Sequence, residues 1–147
     1  MNGIATGLFW MAAAALPLAT HDPVPLNANS PATVPRPAVI VLWGSWCVSC
    51  AKELRLLSSM APSAKPLPVV TLALDPPERA RAALARNGLT GVSAYADDGD
   101  IATVLARWGG TALPLAVAID ANGRVCGRKA GLLGTNQLKL WAKQCSR

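Results

Sequence analysis

Two cysteines separated by two residues constrain this chain more than any other feature of its sequence. The apolar, β-branched run at 39–42 predicts a buried strand, and Gly44 and Ser45 predict the turn that follows it. Cys47 and Cys50 then come where a helical pattern begins. Free N–H groups and the positive end of the helix dipole stabilise a thiolate over a thiol. The sequence therefore predicts an exposed, acidified Cys47 with Cys50 beneath it in the first helical turn.

Glu53 follows Cys50 by three residues, so the two side chains share one face of the predicted helix. A carboxyl group in that position can approach the buried sulfur. We assign it a provisional role in proton handling.

Two other uses of such a cysteine pair compete with redox chemistry. A zinc site needs two more ligands, yet the only histidine is His21, and Cys126 and Cys145 lie far apart in sequence. A purely structural bridge across two residues closes a very short loop and would stabilise little. The sequence favours a redox-active pair, and we expect neither a metal nor a cofactor.

The chain divides into three parts by composition. Residues 3–19 carry no charge, which predicts a signal peptide or membrane anchor over residues 1–20, with a buried helix of a cytosolic protein as the alternative. Residues 21–37 contain five prolines and predict an extended linker that does not pack. Residues 38–147 are long enough for one domain with its own hydrophobic core.

Charge and cysteine content limit the partners and the compartment. Fourteen Lys and Arg against eight Asp and Glu give a net charge of +6. The basic residues are scattered, without the basic stripe or aromatic platform of a nucleic-acid-binding protein, so we expect no nucleic acid and a surface that favours acidic partners. Four cysteines behind an export-like leader predict a periplasmic or other extracytoplasmic location, secreted or anchored by the N-terminal segment.

The remaining sequence alternates strand and helix signals. The predicted elements, in chain order, are a strand at 39–42, a helix from about Cys50 to Met60, a strand at 69–74, a helix capped by Asp75 and ended by Asn87 and Gly88, a short strand at 92–96, a helix capped within 97–100 and stopped at Gly109, strands at 115–119 and 125–130 joined by a turn at 120–123, and a helix at 135–144.

Pro114 enters the strand at 115–119 and cannot donate a ladder hydrogen bond. Taken alone, it is either a functional cis proline or simply the first residue of the strand.

The chain resembles the thioredoxin fold, and more closely the exported TlpA/ResA-type thiol-disulfide oxidoreductases, over residues 38–144. The resemblance rests on the Trp-Cys-x-x-Cys-x-x-Glu run ending at Glu53, on an extra strand and helix between Val92 and Trp108, and on Ala112-Leu113-Pro114 before a strand. It implies an α/β domain with a central mixed β-sheet flanked by helices and the strand-helix insertion of that family.

The resemblance also implies roles for individual residues. Pro114 would be cis and face the cysteine pair, and the backbone of Leu113 would pair with a bound substrate segment as an added strand. Trp46 would form exposed surface beside the nucleophile. Glu53 would be the acid near the buried sulfur. Val41 stands where thioredoxin has its own buried Asp, so proton transfer would use Glu53 or water.

Cys126 and Cys145 fall in the last predicted strand and at the end of the last predicted helix. Both lie roughly 15 Å from the turn between those elements, given the rise per residue of a strand and of a helix. We expect a structural disulfide between them if the helix packs antiparallel on its strand, with two separate buried thiols as the alternative.

The predicted reaction is thiol-disulfide exchange. The chain would reduce disulfides in exported cysteine-containing proteins, with apocytochrome c a client implied by the resemblance, and an upstream membrane thiol reductant would recharge it. The alternatives are an oxidant for folding proteins, a redox-inactive thioredoxin-like binding module, and a copper-delivery protein, whose histidine ligand has no counterpart after His21. The dipeptide Val48-Ser49 between the cysteines leaves the direction of electron flow open.

Overall fold

The computed structural model describes residues 22–147, so the predicted leader at 1–20 lies outside the described part of the chain. The elements within that part are β1 (Val24–Pro25), β2 (Ala38–Trp43), α1 (Val48–Met60) with a 3-10 helix after it (Ala61–Ala64), β3 (Val69–Ala73), α2 (Pro77–Asn87), β4 (Ser93–Ala96), α3 (Ile101–Arg107), β5 (Leu115–Ile119), β6 (Val125–Ala130) and α4 (Thr135–Cys145).

One mixed sheet runs through the domain in the strand order β1-β4-β3-β2-β5-β6. The central strand β2 is parallel to β3 and antiparallel to β5, so that Val41 lies between Thr71 and Ala116. Every residue of β2 is buried, because helices cover both faces of the sheet. The predicted mixed sheet flanked by helices is confirmed.

The helices divide unequally between the two faces. Leu57 of α1 and Trp141 of α4 pack in one cluster against the faces of β2 and β5. Ala80 of α2 joins the neighbouring cluster around the start of α1. Leu105 of α3 packs with Ile40 on the opposite face. The cysteine pair therefore begins a helix that lies on the more heavily covered side of the sheet.

Local signals in the sequence account for most element ends. Helix α2 ends at Gly88, which adopts a left-handed conformation with φ of 62°. Asp100 caps α3 by accepting a hydrogen bond from the backbone N–H of Thr103 at 2.9 Å. The hairpin between β5 and β6 turns at Gly123, with φ of 77°.

The predicted helix cap at Asp75 is wrong. Pro76 occupies the N-cap position of α2, and no side chain caps this helix. The Asp75 side chain instead turns toward Ser45, which is 30 residues away in sequence and belongs to the turn before the cysteines.

Part of the proline-rich segment packs on the sheet, although the sequence predicts a linker that does not. Strand β1 pairs antiparallel with β4, and Leu26 is buried with its N–H donating to Ala94 O at 2.8 Å. The Tyr95 hydroxyl donates to the carbonyls of Pro31 at 2.9 Å and Thr33 at 3.1 Å. An extended, proline-containing backbone suits the edge of a sheet, where one side of the strand needs no partner.

Cys126 of β6 and Cys145 at the end of α4 form a disulfide, with their Cα atoms 5.8 Å apart. The last helix thus packs back along the last strand. Gly127 lets the two elements approach closely, because a Cβ there would collide with the indole of Trp141.

Within residues 22–147, no helix has both the length and the apolar character needed to cross a membrane.

Candidate active site

A tight turn connects β2 to α1 and carries Cys47. The parallel pairing of β2 and β3 extends one bond further, from Leu74 N–H to Trp43 O at 2.8 Å, and the turn is then closed by a bond from Cys47 N–H to Gly44 O at 3.0 Å. The indole of Trp46 lies against Gly44, where a Cβ would be 2.5 Å from the ring. A side chain at position 44 would therefore require the Trp46 ring to move.

Cys47 is the N-cap of α1, and its sulfur accepts a hydrogen bond from the backbone N–H of Cys50 at 3.2 Å. No acidic residue occupies the first turn of the helix. Cys47 is half-buried whereas Cys50 is fully buried, and the two form a disulfide with Cα atoms 5.2 Å apart. The structure thus places the accessible sulfur at the helix start and the second sulfur beneath it, and a helix start of this kind favours a thiolate on Cys47.

Glu53 is buried one helical turn beyond Cys50, with 3% of its surface exposed. Its Oε1 accepts a hydrogen bond from Leu133 N–H at 3.2 Å, whereas Oε2 has no hydrogen-bond partner within residues 22–147. Burial raises the pKa of Glu53 from 4.5 to about 7, and the Leu133 hydrogen bond opposes part of that rise. A carboxyl group with a pKa near neutrality can both hold and release a proton under ordinary conditions.

A shallow groove of about 350 Å³ lies beside Cys47, and we call it the Cys47 groove. Its other lining residues are Trp46, Ile101, Leu105, Thr111, Ala112 and Leu113, none of them charged. Trp46 is 52% exposed and Ile101 is 42% exposed, which leaves apolar surface open next to the half-buried sulfur. The sequence predicts Trp46 and Leu113 at the site but not the two residues that α3 contributes.

The peptide bond between Leu113 and Pro114 is cis, as the family resemblance implies. The bonds before Pro37 and Pro66 are also cis, and the sequence predicts neither. Pro114 is buried and its carbonyl accepts a hydrogen bond from Gly131 N–H at 3.0 Å. Leu113 packs against the same apolar cluster as Cys47, so the structure brings the segment before Pro114 to the cysteine pair.

Ser45 and Asp75 form a contact that the sequence analysis did not predict. The backbone N–H and the hydroxyl of Ser45 each donate to one oxygen of the Asp75 carboxyl group, both at 2.7 Å. A signal was present, because Asp75 follows β3 as Ser45 follows β2, and adjacent parallel strands end at the same edge of a sheet.

The second cysteine pair lies apart from the groove. Cys145 is buried with Trp141 in the cluster beneath α4, and Cys126 packs against that cluster. Both cysteine pairs are bonded, and residues 22–147 contain no group of three or more His, Cys, Asp or Glu side chains placed to hold a metal ion.

No protein-family model matches the sequence, and no curated protein does. Solved structures do match. A thio-disulfide isomerase from Thermus thermophilus has a TM-score of 0.58 at 29% identity, over 77% of this chain and 83% of that protein. StoA from Bacillus subtilis has a TM-score of 0.59 at 22% identity, over 72% and 83%. A secreted Mycobacterium tuberculosis disulfide oxidoreductase homologous to E. coli DsbE has a TM-score of 0.54 at 20% identity, over 74% and 81%.

These comparisons confirm the thioredoxin fold and the resemblance drawn from the sequence. The structural neighbours of the chain are thioredoxin-like thiol-disulfide oxidoreductases of the TlpA/ResA/DsbE type. This chain carries a cysteine pair at Cys-x-x-Cys spacing, bonded at the start of a helix. Fold and cysteine pair together are consistent with an enzyme that exchanges thiols and disulfides.

Proposed function

We propose that this protein reduces disulfides in exported proteins through the Cys47-Cys50 pair. The Cys47 thiolate attacks one sulfur of a client disulfide and displaces the other as a thiolate, which gives a mixed disulfide. Cys50 then attacks the Cys47 sulfur, which releases the client as a dithiol and leaves Cys47 bonded to Cys50. Two electrons pass from the protein to the client in this sequence.

The observation that carries the proposal is the unequal placement of the two sulfurs. Cys47 is half-buried, caps the helix and borders the Cys47 groove, so a client can reach it. Cys50 is 1% exposed and is accessible only to its neighbour. An accessible nucleophile with a buried resolving partner is the arrangement that exchange through a mixed disulfide requires.

Glu53 supports the second half of the reaction. Cys50 must lose its proton before it can attack the mixed disulfide, and Glu53 is buried on the same helix face three residues away. A pKa of about 7 suits this carboxyl group to accept that proton.

The proposed clients are exported proteins with cysteines, with apocytochrome c during cytochrome c maturation as one class. The uncharged Cys47 groove would receive the client segment, and the Leu113 backbone before Pro114 would pair with it. A membrane thiol reductant would return the pair to the dithiol form. An extracytoplasmic location is supported by the secreted M. tuberculosis neighbour and by the Cys126-Cys145 disulfide, since such bonds persist in oxidising compartments.

The midpoint potential of the Cys47-Cys50 pair tests the direction of electron flow. The protein would be equilibrated in graded thiol-disulfide buffers, alkylated and analysed by mass. A value near −270 mV marks a reductant, whereas a value near −120 mV marks an oxidant and contradicts the proposed direction. A pair that does not titrate reversibly would contradict the enzyme and favour the redox-inactive binding module.

Trapping tests whether exchange with clients occurs. Cys50→Ala removes the resolving sulfur, so mixed disulfides through Cys47 should accumulate in the native compartment. Cys47→Ala is the matched control, because it retains Cys50 but not the accessible Cys47. Equal trapping by the two variants would contradict the assignment of Cys47 as the nucleophile.

A further inference from the structure

Asp75 directs both carboxyl oxygens at one residue of the turn that carries Cys47. Oδ2 accepts the Ser45 N–H and Oδ1 accepts the Ser45 hydroxyl, each at 2.7 Å. Asp75 is 2% exposed, so water does not compete for these oxygens. Short hydrogen bonds to a carboxylate in a water-poor site are among the stronger polar contacts in proteins.

Asp75 has no partner cation among residues 22–147, in contrast to Asp97. The Asp97 carboxyl group, equally buried at the end of the next strand, pairs with Arg107 at 3.3 Å. A buried carboxylate without a cation is unfavourable unless hydrogen bonds compensate. The contact with Ser45 is therefore the main compensation for burying Asp75, and it holds both partners in place.

Ser45 occupies a position from which it controls the nucleophile. It is the second residue of the turn that begins at Gly44 and closes at Cys47. The sulfur of Cys47 receives the Cys50 N–H at 3.2 Å only while the turn delivers it to the helix start. A shift of Ser45 would move the sulfur away from the donor that stabilises its thiolate.

We propose that Asp75 is a positioning residue for the nucleophile: through its two hydrogen bonds to Ser45 it keeps the Cys47 sulfur at the N-terminus of α1. This inference rests on the proposed function, because it concerns the same thiol. Asp75 acts through Ser45 and takes no part in the exchange itself.

The direction in which the pKa of the Cys47 thiol changes distinguishes this role from a direct effect of charge. A nearby negative charge disfavours a thiolate, so removal of the Asp75 charge would lower the pKa of the Cys47 thiol if charge alone mattered. Loss of the positioning contact would do the opposite, because the sulfur would lose its helix-start hydrogen bond and the pKa of the thiol would rise.

The test is the pH dependence of Cys47 alkylation by iodoacetamide in the fully reduced full-length protein, read by mass on the Cys47 peptide. Asp75→Ala should raise the apparent pKa of Cys47 and slow its alkylation at pH 6 by about 3- to 10-fold. Asp97→Ala is the matched control, since it removes an equally buried carboxylate that accepts the Gly99 N–H, pairs with Arg107 and forms no hydrogen bond with a residue of the turn. It should leave the Cys47 profile unchanged.

Asp75→Asn supplies the rescue. Its side-chain oxygen can accept the Ser45 N–H while its amide donates to the Ser45 hydroxyl oxygen, so both contacts survive without the charge. The positioning role predicts that this variant is alkylated at least as fast as the wild type at pH 6, because the contacts survive and only the charge is lost. Faster alkylation in both Asp75 variants, or an Asn variant as slow as the Ala variant, overturns the proposal.

Ser45→Ala covers the case in which Asp75→Ala does not fold. It removes the hydroxyl donor and keeps the N–H donor, so alkylation at pH 6 should slow by about 2-fold. An unchanged profile in this folded variant overturns the proposal. Alkylation needs no exchange partner, so the two proposals fail separately. A wild-type Cys47-Cys50 pair that fails to titrate reversibly in the redox buffers contradicts only the proposed function. Reversible redox titration together with unchanged alkylation profiles in the variants contradicts only the role of Asp75.

Discussion

At the scale of single residues, the site depends on where polar groups are buried. Glu53 and Asp75 both lie below the surface near the cysteine turn, yet their surroundings differ. Asp75 has a hydrogen-bond donor for each oxygen, whereas Glu53 has one donor for two oxygens within the described chain. The two hydrogen bonds hold the Asp75 carboxyl group in place, whereas Glu53 has one oxygen, Oε2, available to carry a proton.

The raised pKa of Glu53 predicts a change of stability with pH. The folded protein holds the Glu53 proton up to a pKa of about 7, whereas the unfolded chain releases it near 4.5. The free energy of unfolding should therefore fall as pH rises from 4.5 to 7, by on the order of 3 kcal/mol from this group, and then level off. Urea denaturation at a series of pH values measures this slope.

Glu53→Gln should lose that part of the slope, because the amide does not titrate. Glu78→Gln is the matched control: Glu78 is the other glutamate of the chain and is exposed, so its variant should keep the wild-type slope. Parallel slopes in the two variants would contradict the assignment of the pH dependence to Glu53.

Glu53→Gln should also slow exchange if Glu53 accepts the proton of Cys50. A positioned general base contributes a factor of at least about 100 in many enzymes, and we expect a loss of about 10-fold or more here, since water can replace part of the function. Single-turnover reduction of a model disulfide, followed from pH 5 to pH 8, measures it. The wild type should gain rate near pH 7, and a variant with the same profile would exclude the role.

At the scale of elements, the last strand and the last helix form one unit held by a disulfide. Cys126 and Cys145 are 19 residues apart and join β6 to α4. The loop between them also supplies Leu133 N–H to Glu53 and Gly131 N–H to Pro114. The packing of this unit therefore determines part of the environment on both sides of the cysteine pair.

Replacement of both Cys126 and Cys145 by Ser should destabilise the protein by about 3 kcal/mol, because the unfolded chain loses a constraint on a loop of this length. Denaturant unfolding of the oxidised wild type and of the double variant gives the difference. The redox titration of the Cys47-Cys50 pair is the internal control, and the pair should still titrate reversibly in the double variant. Equal stability of the two proteins would show that this disulfide does not constrain the fold.

At the scale of the whole molecule, the segment before the domain completes the sheet. Strand β1 covers the edge of β4, and Arg81 of α2 donates to the carbonyl of Leu26 at 3.0 Å. An uncovered edge strand would be open to pairing with another chain. The proline-rich segment thus protects one edge of the sheet and does not only connect the domain to what precedes it.

Leu26→Ala should lower the free energy of unfolding by about 2–4 kcal/mol, since it removes a buried side chain from a packed cluster. Val24→Ala, in the same short segment but 46% exposed in the native state, is the matched control and should change stability by less than about 0.5 kcal/mol. Thermal or urea unfolding measures both. A Leu26→Ala variant as stable as the control would indicate that the segment adds nothing to the fold.

The sequence by itself determined the features that depend on near neighbours along the chain. The buried strand followed by two cysteines at a helix start, the Asp100 cap, and the Gly88 and Gly123 turns all arise within a few residues. Backbone sterics and capping act over that range, so their signals can be read without knowing the fold.

Only the tertiary structure decided which distant groups meet. The local sequence predicts Asp75 as a helix cap. In the structure its carboxyl group instead accepts two hydrogen bonds from Ser45, 30 residues away, because β2 and β3 end side by side. Leu133 reaches Glu53 across 80 residues, and β1 finds its partner in β4. These contacts depend on strand order and helix packing, and a buried polar group takes whichever partner that packing provides.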